Sequence, residues 1–317
     1  MHSHDSQMQM RPMWRSSVVF GILPYMNAKT KLATFGLIPL VAAIAGCTTP
    51  ASRPAAPAYS TLICHRGESK DAPENTMPAY RMAVDRGFGF ECDIYLSADE
   101  RVFTFHDTTL TRTTAGACTK KCGEASWEAE ISKLDVGGWG KWKGSKFSPT
   151  RPALLSELLE LARDGRYIYV EVKPGREIVP HIKKVFDGQT RATPRNTLFI
   201  SFNRESCKAL KEQMPEYKVY WLTGSKIKDA DGKRIPVTVD YVLDGLRETG
   251  ADGVDCHFDP EIITADFIKR VRDKGYEFHA WTIDDLDTTL KAFENGAQTV
   301  TTNCAKKQLD EYERRAR

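Results

Sequence analysis

Residues 62 to 114 read LICHRGESKDAPENTMPAYRMAVDRGFGFECDIYLSADERVFTFHDTTLTRTT. A short apolar run, Thr61–Cys64, leads into a polar bend and then into an amphipathic segment that predicts a helix over Met77–Arg86, with Asn75 as its cap. Two further β-rich runs follow, Phe90–Tyr95 and Val102–His106. A strand, a helix and a strand in that order form a crossover unit, and crossovers join parallel strands. Polar residues stand where these strands end: His65 and Arg66 close the first, and His106 and Asp107 close the third. Because strand side chains alternate, Glu91 and Asp93 share one face of the second run and Cys92 takes the other.

The same alternation continues outward. Strands are expected at Tyr167–Val172, Thr197–Ser201, Lys218–Leu222, Gly253–Cys256, Phe278–Trp281 and Thr299–Thr301. Helices fit Leu154–Arg163, Glu177–Phe186, Arg204–Gln213, Ala265–Lys274 and Asp284–Asn295. About eight strands in roughly 250 residues match the size of one TIM (β/α)8 barrel, an α/β fold. The interval 107–151, rich in Gly, Lys, Thr and Trp, has no sustained period and is expected to be a small insertion after an early strand. Its aromatics Trp127, Trp139, Trp142 and Phe147 suit a small core of their own. A second extra loop is expected over 224–237, near the site mouth.

Barrels carry their chemistry at the C-terminal ends of strands. Glu171 and Lys173 share a face at one such end, and with Glu91 and Asp93 they aim three carboxylates inward. Hard oxygen ligands of this kind suit Ca2+ or Mg2+ better than zinc. The same acids could instead make buried salt bridges with Arg66 and Lys173, and residue types alone leave both readings open.

The order HRG, PENT, E-x-D, HD and L-x-R within residues 62–114 resembles the glycerophosphodiester phosphodiesterase signature. LDVGGWGKW, PALLSELLELA, YVEVKP, ISF and HAWTIDD downstream extend the resemblance over nearly all of residues 60–303. The resemblance implies a metal-dependent hydrolase of glycerophosphodiesters that yields glycerol 3-phosphate and an alcohol. It implies His65 and His106 as the acid–base pair, Glu91, Asp93 and Glu171 as ligands of Ca2+ or Mg2+, and Arg66 and Lys173 as phosphate contacts, with Trp281 lining the pocket. Glu74 is expected beside Arg66. Where the family has an acid and a proline after the last strand, this chain has Thr301-Thr302-Asn303-Cys304. A lysophospholipase D-type activity is a second reading and would need an apolar groove beside the site. A non-catalytic glycerophosphodiester-binding lipoprotein is a third, and two titratable imidazoles beside three acids weigh against it.

The remaining features set the context. With 317 residues, 41% of them apolar and 27% charged, the composition is globular and excludes disorder and collagen. The net charge of +3 is mixed along the chain, without the basic stripe that nucleic-acid binding requires. Lys29 and Lys31 precede an apolar run, Leu32 to Gly46, that stops at Cys47. Such a run is too short for a comfortable span, and Ile44-Ala45-Gly46-Cys47 looks like the lipobox of bacterial lipoproteins. Residues 1–47 are therefore expected to be a signal peptide with Cys47 acylated, Met26 being the more usual start. Residues 48–59 suit a Pro/Ala-rich tether and 60–309 the barrel domain. This places the protein in the bacterial cell envelope, membrane-anchored and facing the periplasm. In that oxidising compartment the nearby Cys118 and Cys122 are expected to form a disulfide.

Overall fold

The computed structural model describes residues 56–188 and 191–317. The leader, the lipidation site expected at Cys47 and residues 48–55 of the tether lie outside the described residues. In chain order the strands are β1 (Leu62–Cys64), β2 (Gly89–Leu96), β3 (Val102–Thr104), β4 (Ile168–Val172), β5 (Thr197–Ser201), β6 (Val219–Thr223), β7 (Lys226–Lys228), β8 (Arg234–Pro236), β9 (Gly253–His257), β10 (Glu277–Trp281) and β11 (Val300–Thr302). The helices are α1 (Met77–Asp85), α2 (Leu155–Leu159), α3 (Val179–Asp187), α4 (Arg204–Gln213), α5 (Val239–Thr249), α6 (Ala265–Arg272), α7 (Leu286–Asn295) and α8 (Ala305–Arg315).

Parallel pairing runs β1-β11-β10-β9-β6-β5-β4-β2 and returns from β2 to β1, closing a barrel in which a helix follows each strand. Closure leaves no edge among these strands. A tyrosine-rich layer of Tyr169, Tyr220, Leu198 and Ile63 fills the interior. His279 completes it, stacked on Tyr220 at 4.3 Å and hydrogen-bonded through Nδ1 with the Tyr169 hydroxyl at 3.1 Å. Outward-facing residues such as Cys64, Cys92, Val170 and Phe199 pack beneath the helices. No described helix is long and apolar enough to cross a membrane.

Several expectations need correction. The third β-run is not a barrel stave: β3 pairs antiparallel with β2, extending it as a hairpin. Two helices escaped the sequence reading. The signals for α5 were present: Val239, Val242, Leu243 and Leu246 follow helical spacing, Thr238 caps the first turn, and Gly250 closes it at φ +67°. In α8 only Ala305, Gln308 and Leu309 are buried, too sparse a stripe to stand out, and the helix runs to Arg315, past the expected limit of 309. Helix α2 ends at Leu159, four residues short, and the chain turns again at Gly165 with φ +75° before β4. Thr76, not Asn75, caps α1, accepting from the Ala79 N–H, while Asn75 takes φ +55° and turns its side chain to Asp93. The extra loop over 224–237 is the β7–β8 hairpin.

The insertion is partly as expected. Trp127 joins Phe103, Phe105, Leu110, Cys122, Ile131 and Val136 in a satellite core under β3. Trp139, Trp142 and Phe147 lie outside that core. The Arg112 guanidinium covers Trp139 at 5.0 Å, and Trp142 meets Phe147 edge-on at 5.5 Å. The Cys118–Cys122 disulfide is not formed: both are free thiols. Cys122 is buried in the satellite core with Sγ against the Asp107 carbonyl at 3.3 Å, and Cys118 packs at the edge of that core. Apolar burial and a backbone acceptor already satisfy Cys122.

The entry into β2 is sterically tight. A Cβ on Gly89 would stand 2.4 Å from the Tyr167 carbonyl oxygen, a backbone atom that cannot swing away. Gly89→Ala should therefore destabilise the domain by about 1–3 kcal/mol, the cost of overpacking, read as a lower urea midpoint at unchanged m-value.

Candidate active site

The C-terminal ends of the staves converge on one cavity of about 170 Å3. His65, Arg66, Glu91, His106, Glu171, Lys173 and Trp281 all line it, together with Ile200, Phe202, Leu222, Asp255, Thr282 and Thr301. Asp93 completes the group of acids: Glu91, Asp93 and Glu171 can each offer an oxygen with all three within 4.8 Å of one another. Asp93 pairs with Glu171 across the β2–β4 register, so alternation puts both inside while Cys92 and Val172 face the helices. The cysteines Cys118 and Cys122 take no part in the cavity lining.

The turn after β1 is built for this site. Arg66 takes φ +56°, which aims its backbone N–H at Glu91 Oε2, 2.8 Å away. Gly67 follows at φ +75°, and a Cβ there would sit 2.7 Å from Ala79, so the HRG turn requires glycine. The Arg66 side chain reaches Asp93 Oδ2 at 3.3 Å and Glu74 Oε1 at 2.8 Å, as expected for Glu74. Lys173 bridges Asp93 Oδ1 at 2.9 Å and Glu171 Oε1 at 2.7 Å.

These contacts divide the acids. Burial alone would raise the Asp93 carboxyl, but Lys173 and Arg66 outweigh it and hold Asp93 well below the usual range. Glu91 is pushed well up by burial and by the charges of Asp93 and Glu171, only partly offset by Arg66. Glu171 rises to about 8 through burial and Asp93, against the pull of Lys173. Glu91 Oε1 is buried without a hydrogen-bond partner. An orphaned carboxylate oxygen inside an all-oxygen cluster is what a hard divalent cation would satisfy. Ca2+ and Mg2+ both fit such donors.

Both imidazoles are oriented by residues that the sequence reading assigned no role. His65 Nδ1 lies 2.8 Å from Asn303 Oδ1. Asn303 Nδ2 donates to both Asp284 oxygens at 3.1 and 2.9 Å, which fixes the amide so that Oδ1 can only accept. His65 Nδ1 therefore carries a proton and Nε2, 3.9 Å from Glu91 Oε2, is left free. His106 Nδ1 lies 2.7 Å from Asp107 Oδ1, with the same consequence. Arg112 clamps Asp107 at 2.7 and 3.0 Å and Glu74 at 2.7 and 3.1 Å. This hydrogen bonding from Arg112 draws Asp107 down to about 2. Asn303 belongs to the stretch that departs from the family pattern, so no motif marked it. Arg112 is the arginine of the L-x-R motif, and that motif was its signal.

Burial first, and the Arg66 charge second, lower the His65 imidazole to about 4. An unfolded histidine takes up its proton near 6.5. Between these values the unfolded chain binds more protons, so the contribution of His65 to stability is lost as pH falls through that window. In the metal-free protein the His65 ring resonances should stay unprotonated from pH 7.5 to about 5, and Asn303→Ala should move the midpoint lower still, since that hydrogen bond raises it. A His65 midpoint near 6.5 by NMR would contradict this environment.

The Glycerophosphoryl diester phosphodiesterase family model matches residues 65–307. The glycerophosphodiester phosphodiesterase of Caldanaerobacter subterraneus is 34% identical over 162 residues, covering 50% of this chain and 64% of that protein. The glycerophosphodiester phosphodiesterase of Bacillus subtilis is 25% identical over 254 residues, covering 76% and 82%. The structure of an Oleispira antarctica phosphodiesterase, solved with the product sn-glycerol-3-phosphate, aligns at a TM-score of 0.67 and 25% identity over 80% of this chain and 96% of that one. The chain thus spans just under two thirds of the first of these relatives and nearly all of the solved phosphodiesterase. The matched range takes in both histidines, the three acids and the tryptophan of the cavity, and the chain belongs to the glycerophosphoryl diester phosphodiesterase family.

Proposed function

We propose that the protein hydrolyses glycerophosphodiesters, deacylated phospholipids among them, to glycerol 3-phosphate and an alcohol. The observation that carries this reading is the pair of imidazoles, each fixed through Nδ1 with Nε2 free, lining one cavity with three clustered carboxylates. A phosphodiester is an anion that repels nucleophiles, and Arg66 and Lys173 line the cavity where they can counter its charge. One imidazole accepts the proton of the attacking oxygen and the other delivers a proton to the departing alcohol. Burial lowers both rings, which leaves each imidazole free to accept a proton near neutral pH. Glu91, Asp93 and Glu171 would hold the divalent cation, Ca2+ or Mg2+, which when bound supplies charge neutralisation at the non-bridging oxygens.

A second reading has its own observation. Phe202 is 51% exposed and meets Trp281 edge-on at 5.6 Å, and with Ile200 and Leu222 it gives the cavity an apolar wall. That wall would accept an acyl chain, as a lysophospholipase D-type enzyme requires.

Turnover of glycerophosphocholine by residues 56–317, assayed with Ca2+, with Mg2+ and with chelator, should release glycerol 3-phosphate only when a divalent ion is present. His65→Ala and His106→Ala should each lose at least about 100-fold in kcat, the usual contribution of a positioned acid or base. Turnover of lysophosphatidylcholine but not of glycerophosphocholine would transfer the reading to the acylated substrate, and binding without turnover of either would leave a binding protein.

The lipobox-like ending at Cys47 supports a lipid anchor that holds the barrel at the bacterial envelope, facing the periplasm. Labelled palmitate fed to cells expressing the full chain should appear on the protein and vanish in Cys47→Ser. Label persisting in that variant would remove the anchor.

A further inference from the structure

Asp255 on β9 has no part in the chemistry above. It is 1% exposed yet lines the reaction cavity. Its Oδ1 is buried with no hydrogen-bond partner, and burial first, with the Glu171 charge second, pushes its carboxyl well up. The neighbours in register offer no relief. Leu222 is apolar, and the His279 ring is hydrogen-bonded through Nδ1 with Tyr169 and Thr299 while its Nε2 lies 3.7 Å from Glu277. A buried carboxyl left without a donor destabilises a fold, and such a group is kept where a ligand satisfies it.

The cavity indicates which part of a ligand that is. Its cations, Arg66 and Lys173, stand with the histidines on the β1–β4 side, and the side formed by β5, β6, β9 and β10 is apolar except for Asp255 and the Thr282 that follows β10. A phosphodiester anion is drawn to the cations Arg66 and Lys173. The glycerol hydroxyls, which every glycerophosphodiester carries whatever its headgroup, can donate to the unpartnered Asp255 Oδ1. Resting on the function proposed above, we propose that Asp255 is a specificity residue that accepts a hydrogen bond from a free glycerol hydroxyl, so that the site selects glycerol esters over alkyl esters of phosphate.

The test uses two monoesters of matched length, sn-glycerol 3-phosphate and 1-propyl phosphate, bound to the Ca2+-loaded domain in a calorimeter. The wild type should prefer the glycerol ester, because a site built around a hydroxyl rejects the analogue lacking it. Asp255→Ala should reduce that preference at least about tenfold while leaving propyl phosphate affinity within about twofold. Asp255→Asn, which keeps the shape and an accepting oxygen, should retain part of the preference, and it carries the test if the alanine variant does not fold. Equal loss for both ligands, or a preference unchanged in the variants, would overturn the proposal. A weakened Ca2+ titration in Asp255→Asn would also overturn it, since Asp255 would then serve the metal cluster. Wild-type turnover of glycerophosphocholine separates the two readings: its absence counts against the hydrolase, whereas the ligand preference judges Asp255 by binding alone.

Discussion

Asp93 carries no exposed surface, and three groups converge on it: the Lys173 ammonium, the Arg66 guanidinium, and the Asn75 side chain, which donates to Oδ2 and accepts from the Asp93 backbone N–H. A charge this deep is tolerated only when its partners are fully placed, because removing any one leaves an uncompensated ion. That requirement propagates. Arg66 must adopt a left-handed conformation to reach it, Gly67 must lack a side chain to let the turn pass, and Asn75 must leave the cap of α1 to Thr76. The turn geometry after β1 is thus a consequence of one buried carboxylate.

The rest of the machinery extends from this hub as a chain of ion pairs. Arg66 meets Glu74, Glu74 meets Arg112, Arg112 meets Asp107, and Asp107 fixes His106. Elements far apart in sequence thereby hold one imidazole in one tautomer. The other imidazole is fixed independently, through Asn303 and Asp284 on the opposite side of the barrel seam. Separate supports allow the two rings to differ in proton affinity, which acid–base chemistry requires of two groups of the same type. The insertion contributes through Arg112, whose guanidinium also rests on Trp139, while its own satellite core anchors the loop under β3.

The fold and the first tier of the site were legible because local chemistry marks them. Strand and helix periods alternate visibly, and Glu91 and Asp93 within one β-run, with Glu171 and Lys173 at the end of another, take a common face by period-two alternation. The histidines carried motifs on either side. Short-range patterns misled where a tertiary partner outcompeted a local one: Asn75 is a good cap by type but serves Asp93, and Cys118 and Cys122 are close in sequence but Cys122 is drawn into an apolar cluster. Helix α8 escaped because its buried face holds only Ala305 and Leu309 as apolar groups.

The sequence by itself determined the alternation that closes into a barrel, the identity of the acids, histidines and cations, and the faces those side chains take, since all of these follow from residue type and backbone period. Tertiary structure alone decided which nitrogen of each histidine is free, which acid is held ionised and which is pushed up, and that Asp255 reaches the cavity without a partner. These depend on distances between groups separated by as many as 238 positions, as for His65 and Asn303, and on the exclusion of water around them. Proximity and desolvation exist only after the barrel closes, so no reading of local pattern contains them.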